Sequence, residues 1–223
     1  MSNTVAVTGA AGFIGRWVVA ELLDRGHAVY GLDDFSNGSR RNIAAFDDND
    51  DFHIISGDVC SEEAVDELFE HDPDTCIHLA AEIDVQESLE DPHAHFESNL
   101  VGTHNVLEAC RHNETRLGLV GTCMVYDMVD SAAGISEDHP TKPASPYAGS
   151  KLAAEDLAEG YYHGYDLPVT ILRPFNTYGP YQKTGMAGGV VSIFTSRDLN
   201  DEPLKIFGDG TQTRDLLYAT DCA

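Results

Sequence analysis

Two residue groups in the chain have types and spacings that could do chemistry together. The first lies in Ser145-Pro146-Tyr147-Ala148-Gly149-Ser150-Lys151, where Tyr147 and Lys151 stand four apart. On a helix that spacing puts both on one face. A phenol titrates near pH 10 and is a poor base at neutral pH, but a neighbouring ammonium favours the phenolate. Bringing the phenol toward pH 7 requires roughly 4 kcal/mol, which close cations in a semi-dry site can supply. The tuned Tyr147 could then take a proton from a hydroxyl while the attached carbon gives up a hydride. The second group is Gly9, Gly12 and Gly15, at a spacing of three. Here Gly9 permits a tight turn, Gly12 lets backbone approach a pyrophosphate, and Gly15 lets a helix pack close on a strand. The N–H groups at the helix start, from Phe13 and Ile14 onward, would face the anion with the helix dipole behind them.

The elements that must position these residues are also legible. Val5-Ala6-Val7 is a short β-branched run suited to a buried strand, and Phe13, Ile14, Val18, Leu22 and Leu23 recur on one helical face after the glycines. Ala28–Leu32 is a second strand, and it ends in Asp33-Asp34. An acid about 20 residues past the glycines is placed to accept from adenine-ribose hydroxyls and to repel a 2′-phosphate. Asp33 therefore favours NAD as the cofactor, with Arg40 and Arg41 in the next loop leaving NADP as the alternative.

Further strands are expected at Phe52–Ser56, Thr75–Ala81, Leu117–Thr122 and Val169–Leu172, and helices at Ser61–Glu70, Pro92–Arg111 and from Pro146 to Tyr162. A helix within Gly185–Arg197 and a strand at Leu204–Phe207 follow. The stretches Phe35–Asp51 and Asp127–Pro143 are polar and read as loops, the first with one short helix. Strands alternating with helices predict an α/β fold, a doubly wound parallel sheet of the Rossmann kind with its site at the strand C-termini.

The 38 acidic and 13 basic residues give a formal charge of −25. Such a surface repels nucleic acid and anionic membranes. It also suggests adaptation to high salt, which would screen the self-repulsion. No apolar run approaches the roughly 20 residues of a membrane span, and no secretory signal is evident, so a cytoplasmic location is expected. Five scattered cysteines suggest neither a disulfide framework nor a zinc site. The ten histidines read as solvated or capping residues, and no metal site is expected. The glycosylation-type patterns at Asn37 and Asn113 carry no weight.

The glycine pattern, Gly57-Asp58-Val59, His78-Leu79-Ala80-Ala81 and the Tyr147/Lys151 pair together resemble the extended short-chain dehydrogenases, the NAD-dependent sugar-nucleotide epimerase/dehydratase family. The resemblance covers essentially the whole chain. It implies cofactor contacts from Asp58 and Val59 near the adenine, from Leu79, Ala80 and Ala81, from Pro174, and from Lys151 to the nicotinamide ribose. In the family an Asn at the place of Asn99 pins backbone near the active site. The hydroxyl at the place of Thr122 bonds the reacting sugar oxygen. Gln86 and Ser88 fall in the loop beneath the sugar.

Arg173-Pro174-Phe175-Asn176-Thr177-Tyr178-Gly179-Pro180 resembles the turn that opens the substrate domain, with Asn176 at the substrate pyrophosphate. Thr213-Arg214-Asp215 resembles the segment whose arginine grips the nucleotide diphosphate, a task suited to its planar donors. The resemblance thus implies a nucleotide-binding domain over 1–175 and part of a smaller substrate domain over 176–223, with the family's pattern truncated at Ala223. It also implies a homodimer formed through the helices Pro92–Arg111 and Pro146–Tyr162.

The implied function is NAD-dependent 4-epimerisation of a nucleotide-diphosphate sugar of the UDP-glucose/UDP-galactose kind. The alternatives are an NDP-sugar 4,6-dehydratase and an NAD-binding protein without turnover. Family dehydratases usually carry an Asp-Glu pair where this chain has Cys123-Met124, and a thioether cannot transfer a proton.

Overall fold

A computed structural model describes residues 3–127, 134–185 and 188–223. Part of the loop expected at Asp127–Pro143, residues 128–133, lies outside the described residues, as do 186–187 in the segment expected to hold a helix.

Six strands form one all-parallel sheet: β1 (Thr4–Thr8), β2 (Ala28–Asp33), β3 (Phe52–Ser56), β4 (Thr75–His78), β5 (Arg116–Val120) and β6 (Val169–Leu172), in the order β3-β2-β1-β4-β5-β6. This is the doubly wound arrangement, and the order reverses between β1 and β4. The register pairs Val5 with Val29 on one side of β1 and with Thr75 on the other.

The helices are α1 (Phe13–Asp24), α2 (Arg40–Ile43), α3 (Glu62–Phe69), α4 (Val85–Glu90), α5 (Pro92–Phe96), α6 (Gly102–His112), α7 (Pro146–Tyr165), α8 (Val190–Leu199) and α9 (Ala219–Cys222). Two three-residue strands, β7 (Asn176–Tyr178) and β8 (Leu216–Tyr218), pair in parallel as a separate ribbon.

The alternation of β1 sends Val5 and Val7 to one core and Ala6 to the other, so the central strand is covered on both faces. One core gathers Val18, Val19, Val29, Ile43 and Phe52 under α1 and α2. The other gathers Leu68, Leu107, Leu117, Leu119 and Tyr161 from α3, α6, β5 and α7. Ser61 begins α3 by accepting from the Ala64 amide, as its sequence predicts.

Three expectations are corrected. The helix read over Pro92–Arg111 is not uniform: α5 and α6 are joined by a π-helical turn at Glu97–Val101, the wider winding that often marks functional sites. The loop expected to hold Gln86 and Ser88 is in part a helix. The Asp84 carboxylate accepts from the Gln86 and Glu87 amides and starts α4 there. Leu204–Phe207 forms no strand and finds no pairing partner among the described residues, and Ile206 and Phe207 are exposed.

Candidate functional site

The strand C-termini open into a cavity of about 830 Å³ that reaches from the first glycine turn to the start of α7. Its two ends are built differently.

At the first end the backbone sets the shape. Gly9 has φ +68°, and a Cβ there would sit 2.8 Å from the Ala80 amide nitrogen. A Cβ on Gly15 would overlap the Gly9 carbonyl oxygen, so α1 can approach β1 only without it. Gly12 stands at the N-cap of α1, and no side chain caps that helix. Its first N–H groups therefore remain available at the cavity wall, where Phe13, Ile14 and Gly15 lie. Asp33, at the end of β2, is buried, and its two carboxylate oxygens accept from the Ala11 and Phe35 amides at 2.8 Å each. Burial pushes this carboxyl above its usual range, the two amides oppose the rise, and Asp34 adds to it. Each oxygen keeps a further lone pair for a hydroxyl donor.

The floor between the ends contains a hydrogen-bond network that sequence reasoning missed. His78 is fully buried, with Nδ1 2.6 Å from Thr8 Oγ1 and Nε2 3.0 Å from Thr103 Oγ1. Burial pushes the imidazole down to about 3, with the Lys151 charge adding to the effect, so the ring is neutral. Thr103 Oγ1 donates to the Asn99 carbonyl, so it must accept from His78 Nε2–H. His78 Nδ1 then accepts from the Thr8 hydroxyl, whose oxygen accepts from the Leu79 and Ala80 amides at 3.2 Å each. This network fixes the backbone after β4, where Leu79, Ala80 and Ala81 face the cavity. The reading of every histidine as solvated or capping is thus corrected for His78 and for His95, both of which are fully buried. Only the three-dimensional meeting of Thr8, His78 and Thr103 reveals the network.

At the second end Thr122 follows β5, and its hydroxyl accepts from the Met124 amide at 3.2 Å. Ser145 caps α7 by accepting from the Ala148 amide, and Pro146 occupies the first turn, which places Tyr147 at the cavity wall together with Thr122. Tyr147 and Lys151 are buried and line the same cavity. Burial pushes the phenol above its usual range, against a hydrogen bond from Thr122, and Cys123 and Glu155 add to the rise. Burial pushes the Lys151 ammonium down to about 8, and Glu155 opposes it. In the protein by itself desolvation of the phenolate dominates.

Other expected residues divide. Asp58 and Val59 line the cavity, as do Pro174 and Asn176. Asp58 accepts from the Cys60 amide at 2.8 Å, and Asn176 donates to the Asp215 carbonyl at 2.9 Å. Asn99 is fully buried behind the wall. It accepts from the Glu82 amide, donates to the Glu82 carbonyl, and donates to Ser150 Oγ at 3.0 Å, so both its amide hydrogens are taken within the protein. Gln86 lies exposed on α4, away from the cavity lining. Ser88 is fully buried and donates to the Val85 carbonyl at 2.7 Å, because the α4 turn directs its hydroxyl back to the chain. Arg214 is exposed, donates to the Thr213 carbonyl and is not part of the lining. Conversely, Asn37 and Lys183 do line it. Lys183 donates to Asn37 at 2.7 Å, and Asn37 donates to Glu82 at 2.8 Å. Their signal in the sequence was only a loop asparagine before Gly38. No group of metal-ligating side chains occurs among the described residues, and no helix among them is long and apolar enough to cross a membrane.

A sequence model of the NAD dependent epimerase/dehydratase family matches residues 5–223. A UDP-glucose 4-epimerase of Mycolicibacterium smegmatis is 39% identical, over 96% of this chain and 69% of its own length. A dTDP-glucose 4,6-dehydratase of Xanthomonas campestris is 35% identical, over 98% of this chain and 65% of its own length. The chain thus spans about two thirds of these relatives' length. Among solved structures, Pal from Bacillus thuringiensis is 51% identical with a TM-score of 0.94, over 98% of this chain and 71% of that one. The UDP-glucose 4-epimerase of Thermus thermophilus, in complex with NAD, is 36% identical with a TM-score of 0.89, over 98% of this chain and 71% of that one.

Proposed function

This chain belongs to the NAD dependent epimerase/dehydratase family, and we propose that within it the chain inverts C4 of a nucleotide-diphosphate sugar of the UDP-glucose or UDP-galactose kind. The observation that carries this reading is a single cavity walled by Gly9–Gly15 and Asp33 at one end and by Thr122, Tyr147 and Lys151 at the other. Its first end fits NAD: the Gly9 and Gly15 cradle has no room for side chains, the start of α1 is uncapped, and Asp33 retains acceptor capacity. In this reading the pyrophosphate lies on the Gly12–Gly15 amides, a ribose on Asp33 and the nicotinamide end beside Lys151. When bound, NAD supplies the acceptor and donor of hydride.

The chain's own residues then handle the proton. Tyr147 takes it from the sugar O4 as that carbon is oxidised, and the Thr122 hydroxyl holds the same oxygen. In this reading the Lys151 charge favours the phenolate during this step, against the burial that raises the phenol. After the 4-keto sugar has turned, Tyr147 returns its proton and the opposite face receives the hydride. Asn176 serves the substrate pyrophosphate, and residues 176–223 form part of the substrate side.

Isomerase chemistry is favoured over dehydration by Cys123 and Met124, which line the cavity after Thr122. Loss of water across C5 and C6 needs a proton donor and acceptor there. Met124 can be neither, and burial pushes the Cys123 thiol above its usual range.

The same reading includes a cytoplasmic homodimer that is stable in high salt. The proposed interface is formed by α5, α6 and α7, whose outer residues Phe96, Tyr162 and Tyr165 are exposed. Sedimentation at high salt should give a dimer, and a monomer at high protein concentration would count against the interface.

The experiment for the activity is incubation with a panel of UDP- and dTDP-hexoses, followed by mass and NMR analysis of the sugar. Products of unchanged mass with inverted C4 support the proposal. Products lighter by one water, or no conversion of any member, would refute it.

A further inference from the structure

Glu155 stands one helical turn beyond Lys151 on α7, so Tyr147, Lys151 and Glu155 are spaced at i, i+4 and i+8 along one face. Its side chain is only 2% exposed. One carboxylate oxygen, Oε2, accepts from Arg173 Nη2 at 2.7 Å and from Arg173 Nε at 2.9 Å. The other, Oε1, is buried with no hydrogen-bond partner. That oxygen occupies the space left by Gly121: a Cβ on this residue, just past β5 and before Thr122, would overlap Oε1. A buried carboxylate with one free oxygen is costly unless nearby charge compensates it. The Arg173 guanidinium is held from the far side, 4.8 Å over the Tyr126 ring.

We propose that Glu155 is a positioning residue whose carboxylate, clamped by Arg173 and admitted by Gly121, maintains the charge of the buried Lys151 ammonium at the cavity wall. The inference rests on the reading of Lys151 as the cation beside Tyr147. The groups around Lys151 are Glu155 and Tyr147 from α7 itself and His78 from β4, with Cys123 acting on Tyr147 from the turn after β5, and Arg173 with Tyr126 behind Glu155. His78 is neutral, so Glu155 is the anion in this set, and Arg173 partly offsets it. The direction of its influence agrees: Glu155 works against the burial that pulls Lys151 down. The purpose of Gly121 follows, since any larger residue would displace this carboxylate from beneath the helix.

The test is NMR titration of labelled lysine side chains in the full chain without substrate. There are four lysines, Lys142, Lys151, Lys183 and Lys205, and Lys151→Arg assigns the signal. Lys151 should titrate well below the other three. Glu155→Gln should move it down by about one further unit, and Arg173→Gln should move it up, with the other lysines unmoved. Gly121→Ala should act like Glu155→Gln. A merely structural pair would shift both variants alike or not at all. An unmoved Lys151 signal, or shifts of the same sign in Glu155→Gln and Arg173→Gln, would overturn the proposal. If Glu155→Gln does not fold, the upward shift in Arg173→Gln decides by itself, and its absence refutes. Because no turnover is measured, absent epimerase activity would leave this result standing.

Discussion

The two ends of the cavity use opposite materials. The Gly9–Asp33 end is made of backbone: a left-handed glycine, a helix start without a cap, and a carboxylate already holding two amides. The Thr122–Lys151 end is made of ionisable side chains withdrawn from water, with a phenol raised and an ammonium lowered by burial. The first end stores its function as shape and the second as electrostatic cost. Substitutions at the first should therefore act through sterics, with little pH dependence. Substitutions at the second should change stability and activity in opposite directions.

The largest effect is expected at the backbone end. In Gly15→Val a side chain would overlap the Gly9 carbonyl, so α1 must move off β1 at a cost of about 3 kcal/mol or more. Thermal melting and NAD titration should show a much weakened fold and no saturable cofactor binding. A variant that binds NAD like the parent would break the claim that shape governs this end.

Lys151→Met tests the opposite behaviour. Burial pushes the ammonium down to about 8 in the folded chain, against an ordinary value of 10.5. The folded state therefore binds this proton more weakly than the unfolded state, and stability is reduced wherever both would be protonated. The cost is full below about pH 8 and is relieved as pH rises from there toward 10.5. Denaturant unfolding should find Lys151→Met more stable than the parent at neutral pH by on the order of 3 kcal/mol. That gap should shrink above pH 8 while oxidation of the sugar is lost. A variant less stable than the parent at pH 7 would show that burial of the ammonium is not what this end pays for.

Thr122→Ala should be milder. One positioned hydrogen bond to the reacting oxygen is worth about 10²-fold in rate, and the cofactor end should be untouched. Steady-state kinetics with an unchanged NAD affinity would check both. The smallest effect is expected from Asp33→Asn, which keeps an acceptor for one amide but removes the charge. The preference for NAD over NADP should fall about tenfold. Equal affinity of the parent for the two cofactors would contradict the ribose role of Asp33.

This contrast also explains what was legible in the sequence. Glycine spacing, a strand-end Asp33 and the interval from Tyr147 to Lys151 are local patterns, and local patterns survive in one dimension. So did the parallel sheet, because each βα unit carries its own periodicity. The His78 network was hidden because Thr8 and Thr103 lie 70 and 25 residues from His78. Glu155 belongs to no motif in the sequence, and only Gly121 and Arg173 reveal why it is buried. Ser88 and Gln86 fall outside the cavity lining because the Asp84 cap turns the expected loop into a helix. The π-helical turn at Glu97–Val101 has no sequence signal comparable to a proline or a cap, yet it carries Asn99 to the Glu82 backbone.

The central claim is that Tyr147 is the proton acceptor and Thr122 and Lys151 only assist it. Single-turnover reduction of bound NAD by UDP-glucose or UDP-galactose, followed by nicotinamide absorbance in the parent and in Tyr147→Phe, tests it most directly. The phenyl ring keeps its packing, so NAD should bind as before while the reduction slows by about 10³-fold or more. Reduction within a few fold of the parent rate would show that another group takes the proton, and the assignment of the second end would fail.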